Sequence, residues 1–285
     1  LNRKDFDNLL DVYLDAVFFS RLDPLDFAQE GHRLDFAEAG NAESPLVYKG
    51  VVFNEMKGAM SSITSQLWQT LSKYLYPTST YHHNSGGDPQ AIPDLSYEQL
   101  QQFYQTHYHP SNAIFMTFGN IAAEEHHAKF EERALKRFTP LEKTISVEPE
   151  KRYFAPIRVE EAYPYQAEAG EGIDGESTQG IKNKTHIVMS WLLGPSIDLK
   201  ANLEVHLLSS LLFDNSASPL QRLLETSKLG SSPSPLCGMD DSQYEMLFLC
   251  GIAGSETRHT LALENEVIAV LEKVVTEGLP QAQID

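Results

Sequence analysis

Cysteine is nearly absent from this chain of 285 residues; Cys237 and Cys250 are the only two. They form no C-x-x-C unit and no disulfide framework, a usage that favours a reducing compartment. Positive charge is scarce as well, with 22 Lys and Arg against 40 Asp and Glu and a formal charge of -18. A nucleic-acid binder needs a basic stripe and a protein docked on anionic lipid needs a basic patch, so neither partner is expected. A field this negative attracts basic partners, including basic peptides. No stretch is apolar enough to span a bilayer.

Several motifs are missing too. Ser85-Gly86-Gly87-Asp88-Pro89 has no lysine and no following Ser or Thr, which excludes a Walker A phosphate loop and leaves a glycine turn. No serine stands in a G-x-S-x-G elbow. Neither H-x-x-E-H nor H-E-x-x-H occurs. His126-His127 follows Glu124-Glu125, but no histidine stands three residues before either glutamate. His82-His83 and the pair His107 and His109 read as hydrogen-bonding residues rather than ligands: adjacent side chains on an extended stretch point opposite ways, so at most one of His82 and His83 could join a site, and His109, before Pro110, reads as a turn residue holding backbone groups. The chain opens Leu1-Asn2-Arg3-Lys4-Asp5, neither a start methionine nor a signal peptide. The expectation is a natural N-terminus upstream and a cytoplasmic or organelle-matrix location.

What is present suffices for a packed fold. The hydrophobic fraction is 41%, ample for a core. Helical spacing of Phe6, Leu9, Leu10, Tyr13, Leu14, Val17 and Phe18 predicts a first amphipathic helix. A short helix from Asp23-Pro24 to Gly31 and a strand over 32–37 follow. Ser44-Pro45 reads as an N-cap and N1 proline opening the next helix. Further helices are predicted over 63–75 and over 97–107, the latter from the Ser96/Gln99 capping box. Ala113 to Phe118 reads as a buried strand and 122–138 as a charged helix. The stretch 168–184 is rich in Gly, Glu, Ser and Asn and reads as linker or long loop. Strands are predicted over 158–165, 186–193 and 243–253, and helices over 199–213, 219–227 and 258–276. Strands and helices do not alternate regularly, so the class is α+β.

Glu55 is the residue with the sharpest chemistry. Its neighbours three and four positions away on a helix are Val51, Val52, Gly58 and Ala59, with no basic residue among them. An unpaired carboxylate on such a face is costly to bury. It needs neutralisation, a distant cation or a metal.

The run from Tyr48 to Gly58, Tyr-Lys-Gly-Val-Val-Phe-Asn-Glu-Met-Lys-Gly, closely resembles a segment of the pitrilysin/insulinase zinc peptidases, most closely the presequence protease branch. The resemblance continues upstream in 11–19 and 27–34. Downstream it takes in Ser85 to Leu95, Gln101 to Tyr104 and Tyr108 to Ala113, then weakens beyond Lys184. It implies α+β units of two layers, sheet and helix, both incomplete here. Residues 1–148 would be the C-terminal part of the first peptidase domain, 149–184 a linker, and 185–285 the N-terminal part of a second, similar domain.

In that family zinc is held by two histidines of H-x-x-E-H and by a glutamate on a later helix, and Glu55 matches that third ligand. The glutamate between the histidines is the general base, so the resemblance leaves no catalytic residue in this chain. It implies that the full-length protein is a zinc metalloendopeptidase degrading short unstructured peptides, completed by remaining parts of the same polypeptide, while this chain alone is inactive. The alternative is a non-catalytic scaffold or peptide-binding half of the same fold.

Overall fold

The computed structural model describes residues 2–164 and 183–284. Most of the glycine-rich stretch read as a linker, residues 168–182, lies outside the described residues. In chain order the regular elements are α1 (Arg3–Phe18), α2 (Pro24–Asp26), a π-helical turn (Phe27–Gly31), β1 (Arg33–Phe36), β2 (Leu46–Lys49), α3 (Val51–Ala59) and α4 (Ile63–Leu75). After them come α5 (Tyr97–His107), α6 (Ala123–Arg133), β3 (Thr185–Pro195), α7 (Leu199–Phe213) and α8 (Pro219–Thr226). The chain continues with β4 (Ser232–Pro233), β5 (Gly238–Asp240), β6 (Glu245–Ser255), α9 (Thr260–Glu277) and α10 (Gln281–Ile284). Helices beside small antiparallel sheets make the class α+β.

The chain forms two compact units. The first comprises residues 1–59 and 86–146, and the second 60–85 and 147–285. In the first, the apolar stripe of α1 packs on α6: Leu14, Phe18, Phe130 and Ala134 are buried, with Phe115 and Phe138 against them. β1 and β2 form an antiparallel ribbon, Arg33 opposite Lys49 and Phe36 opposite Leu46. That ribbon corrects the reading of Ser44-Pro45 as a helix start. Leu46–Lys49 satisfy their backbone groups in the ladder, and the helix bearing Glu55 begins at Val51.

Ala113–Phe118 is the second correction. It forms no strand, and Ile114, Met116 and Phe118 are exposed while Phe115 packs inward. Residues 158–164 likewise form no strand, and Tyr165 lies outside the described residues.

The second unit is built on β6. β3 pairs along one edge, Met189 opposite Cys250 and Trp191 opposite Phe248, and β4 and β5 share the other edge. Successive side chains of a strand point to opposite faces. Accordingly Phe248, Cys250 and Ile252 pack on Leu212 of α7, Leu220 and Leu224 of α8, and Leu263 and Val267 of α9. Leu247 and Leu249 pack instead on Tyr76, with Trp68, Leu71 and Leu75 of α4. With both faces covered, the strand reads as a continuous apolar run, Met-Leu-Phe-Leu-Cys. This is also why residues 60–85 group with the second unit although they precede part of the first in sequence.

Candidate functional site

Helix α3 carries Glu55. The chain leaves the β1–β2 ladder at Lys49, turns once at Gly50, and enters the helix, whose first bond runs from the Asn54 amide to the Gly50 carbonyl at 3.0 Å. Phe53 and Met56 form the half-buried side of the helix, and the Phe53 ring lies 6.1 Å from that of Tyr48. The opposite face bears Val51, Val52, Glu55, Gly58 and Ala59, and all five are exposed. The apolar surroundings read for Glu55 are therefore present, but here they are open to solvent rather than buried. No hydrogen bond or ion pair to another described residue holds its carboxylate.

Gly50 itself is buried. A Cβ added there would lie 2.0 Å from the Gly31 carbonyl oxygen, 2.7 Å from the Gly31 carbonyl carbon and 3.0 Å from the His32 Cα. His32 is fixed in turn. Its Nε2 donates to the Leu95 carbonyl at 2.8 Å, and its ring stands edge-on to Phe27 at 5.4 Å and to Tyr48 at 6.2 Å.

The histidines singled out in the sequence bind backbone or pack, whereas His206 pairs with the Asp241 carboxylate at 3.2 Å. His82 Nδ1 donates to the Lys73 carbonyl at 3.2 Å, and its ring meets that of His83 at 4.9 Å. His107 Nδ1 donates to the Phe103 carbonyl at 3.0 Å. His109 Nδ1 accepts from the Ser111 amide at 3.1 Å. His126 is buried between Phe6 and Phe130. Among the described residues, no three His, Cys, Asp or Glu side chains converge as a metal cluster would require. The described residues therefore hold no preformed three-ligand group. What fits is one accessible carboxylate on a helix, a single donor of the kind a catalytic zinc takes beside two others.

The glycine turn also finds its place. Gly87 has φ +96°, a conformation that only glycine adopts freely. Asp88 accepts from the amides of Gln90, Ala91 and Ile92, which closes the turn.

A second polar constellation was missed in the sequence. In the second unit, Glu150 and Glu245 are both buried. Glu245 accepts from Arg152 at 2.6 Å and from the Glu150 amide at 2.7 Å. The Arg152 guanidinium also donates to the carbonyls of Glu150 and Leu193. Glu150 in turn accepts from the Thr78 hydroxyl at 2.6 Å, from the amides of Thr78 and Ser79 at 2.9 Å, and from the Lys151 amide at 2.8 Å. Burial works to raise the Glu150 pKa, but the bonds from Thr78, Lys151 and Ser79 outweigh it and hold the carboxyl below its ordinary value. Every oxygen of this pair is engaged in binding segments of the unit together, so the cluster is a clasp rather than a reaction centre.

The family profile described as "Peptidase M16 inactive domain" matches residues 94–285. The chain is 39% identical over its whole length to a protein named "Presequence protease, mitochondrial" from Danio rerio, of which it covers 27%. It is likewise 39% identical over its whole length to the protein of that name from Mus musculus, of which it covers 26%. The chain thus spans about a quarter of the length of these relatives. Among solved structures, a peptidase M16 inactive domain from Pseudomonas fluorescens superposes with a TM-score of 0.61 at 17% identity, over 99% of this chain and 59% of that one. At that identity the likeness speaks for the fold alone.

Proposed function

Because this chain belongs to the peptidase M16 family, we propose that it is the part of a zinc metalloendopeptidase that contributes one metal ligand, the Glu55 carboxylate. The observation that carries this reading is the exposed face of α3, where one carboxylate without a cation stands among Val51, Val52, Gly58 and Ala59. An accessible carboxylate with no local cation is free to serve as one of the three protein ligands a catalytic zinc takes. The two further ligands and the general base come from elsewhere in the full-length protein. Zinc bound there supplies a polarised scissile carbonyl and a water of lowered pKa. The role of this chain's own residues is to present Glu55 and to contribute walls around the substrate.

The substrates are short unstructured peptides, taken up by backbone pairing at a sheet edge. The charge of -18 favours basic ones. The relatives named as mitochondrial presequence proteases support an organelle-matrix location. This chain alone binds zinc weakly and hydrolyses nothing, since one carboxylate cannot replace three ligands.

A scaffold role has one observation in its favour: the matched profile describes an inactive domain, and Glu55 lies before its first residue, 94. The two readings are separated by cleavage of an unstructured basic peptide by the full-length protein and its Glu55→Gln variant. Turnover abolished in the variant supports the enzyme reading. Equal turnover in both refutes the ligand assignment, and no turnover in either supports the scaffold.

A further inference from the structure

We infer that Gly50 is a positioning residue for Glu55: its missing side chain seats the start of α3 directly on the backbone of Gly31 and His32. The inference rests on the reading of Glu55 as a metal ligand and adds what aims it. The close approach involves backbone atoms only, at 2.0, 2.7 and 3.0 Å from an added Cβ. No flexible side chain is there to step aside. The seat is braced from behind by the His32–Leu95 bond and by the rings of Phe27 and Tyr48. The helix resting on it is anchored less firmly, with no fully buried residue. Pressure at the junction therefore moves the helix and not the seat.

The consequence for Glu55 follows from helix geometry. It lies five residues beyond Gly50, roughly 7.5 Å along the axis at about 1.5 Å per residue. A tilt of roughly 10° at the seat displaces that position by more than ~1 Å, whereas metal–ligand distances tolerate only about 0.2 Å.

The test uses the full-length protein, its zinc affinity measured by chelator competition and its cobalt-substituted form by visible absorption. Gly50→Ala is expected to weaken zinc binding about ten- to a hundredfold, the range for losing a group that orients a ligand, and to alter the cobalt ligand-field bands. Lys57→Ala, on the side of α3 away from Glu55 and exposed, should leave both unchanged. Zinc affinity within twofold of wild type in a folded Gly50→Ala protein overturns the inference. Should Gly50→Ala not fold by circular dichroism, His32→Ala loosens the same seat without inserting an atom. A severalfold loss of zinc affinity there supports the inference, and none overturns it. Glu55→Gln separates the two levels. If that variant keeps its zinc, the ligand assignment fails. If it loses zinc while Gly50→Ala does not, the positioning role alone fails.

Discussion

Arg152 and Glu245 meet at 2.6 Å across a sharp gradient of burial: the arginine side chain is 46% exposed and the glutamate 4%. The pair ties the chain just beyond residue 147 to the first residue of β6, the central strand of the second unit. Arg152→Ala would leave a buried carboxylate without its cation. Breaking a fully buried pair costs about 3–5 kcal/mol, and because water reaches this arginine about 2 kcal/mol is expected. Both tryptophans, Trp68 and Trp191, belong to the second unit, so denaturant unfolding followed by tryptophan fluorescence reports on it. An unchanged midpoint would show the pair to be idle.

Glu150 predicts an acid dependence. Its folded pKa lies below the ordinary glutamate value despite burial, because Thr78, Lys151 and Ser79 donate to it. A depressed folded pKa contributes stability that is complete above the unfolded value, about 4.3, and is lost as pH falls through the folded one. The contribution of Glu150 should therefore hold from pH 7 to about 5 and be lost below about 4. Glu150→Gln should be less stable at neutral pH and show a shallower loss in acid. Parallel acid titration of both proteins by tryptophan fluorescence checks this, and identical slopes would contradict it.

The core of the second unit gives a contrast within one helix. Leu263 of α9 is 0% exposed, whereas Val275 of the same helix is 85% exposed. Leu263→Ala should cost about 3 kcal/mol through lost burial and the cavity left behind. Val275→Ala should stay within about 0.5 kcal/mol. Thermal unfolding of the two variants side by side tests the difference, and equal losses would contradict the packing described.

Local signals were legible where the residues that stabilise an element are its own neighbours. The Ser96/Gln99 box caps α5 as read, with Ser96 Oγ accepting from the Gln99 amide and Gln99 Oε1 from the Ser96 amide. The stripe of α1 was equally plain, and the ranges read as 258–276 and 243–253 lie close to α9 and β6 as observed. Legibility failed where the partner is remote. Ser44-Pro45 imitates a helix cap, but Leu46–Lys49 are claimed by β1. Ala113–Phe118 has strand composition, yet no described strand pairs with it. The Glu150–Glu245 clasp joins residues 95 positions apart, and the seat of Gly50 on Gly31 is a matter of backbone proximity that no pattern announces. Glu55 stood out because its helix face could be read locally, while its exposure could not.

The central claim is that Glu55 is a zinc ligand, and its most direct test is the metal content of purified full-length protein and of its Glu55→Gln variant. The account predicts about one zinc per wild-type chain and a loss of most of it in a variant that remains folded. Zinc retained at the wild-type level in Glu55→Gln would contradict it.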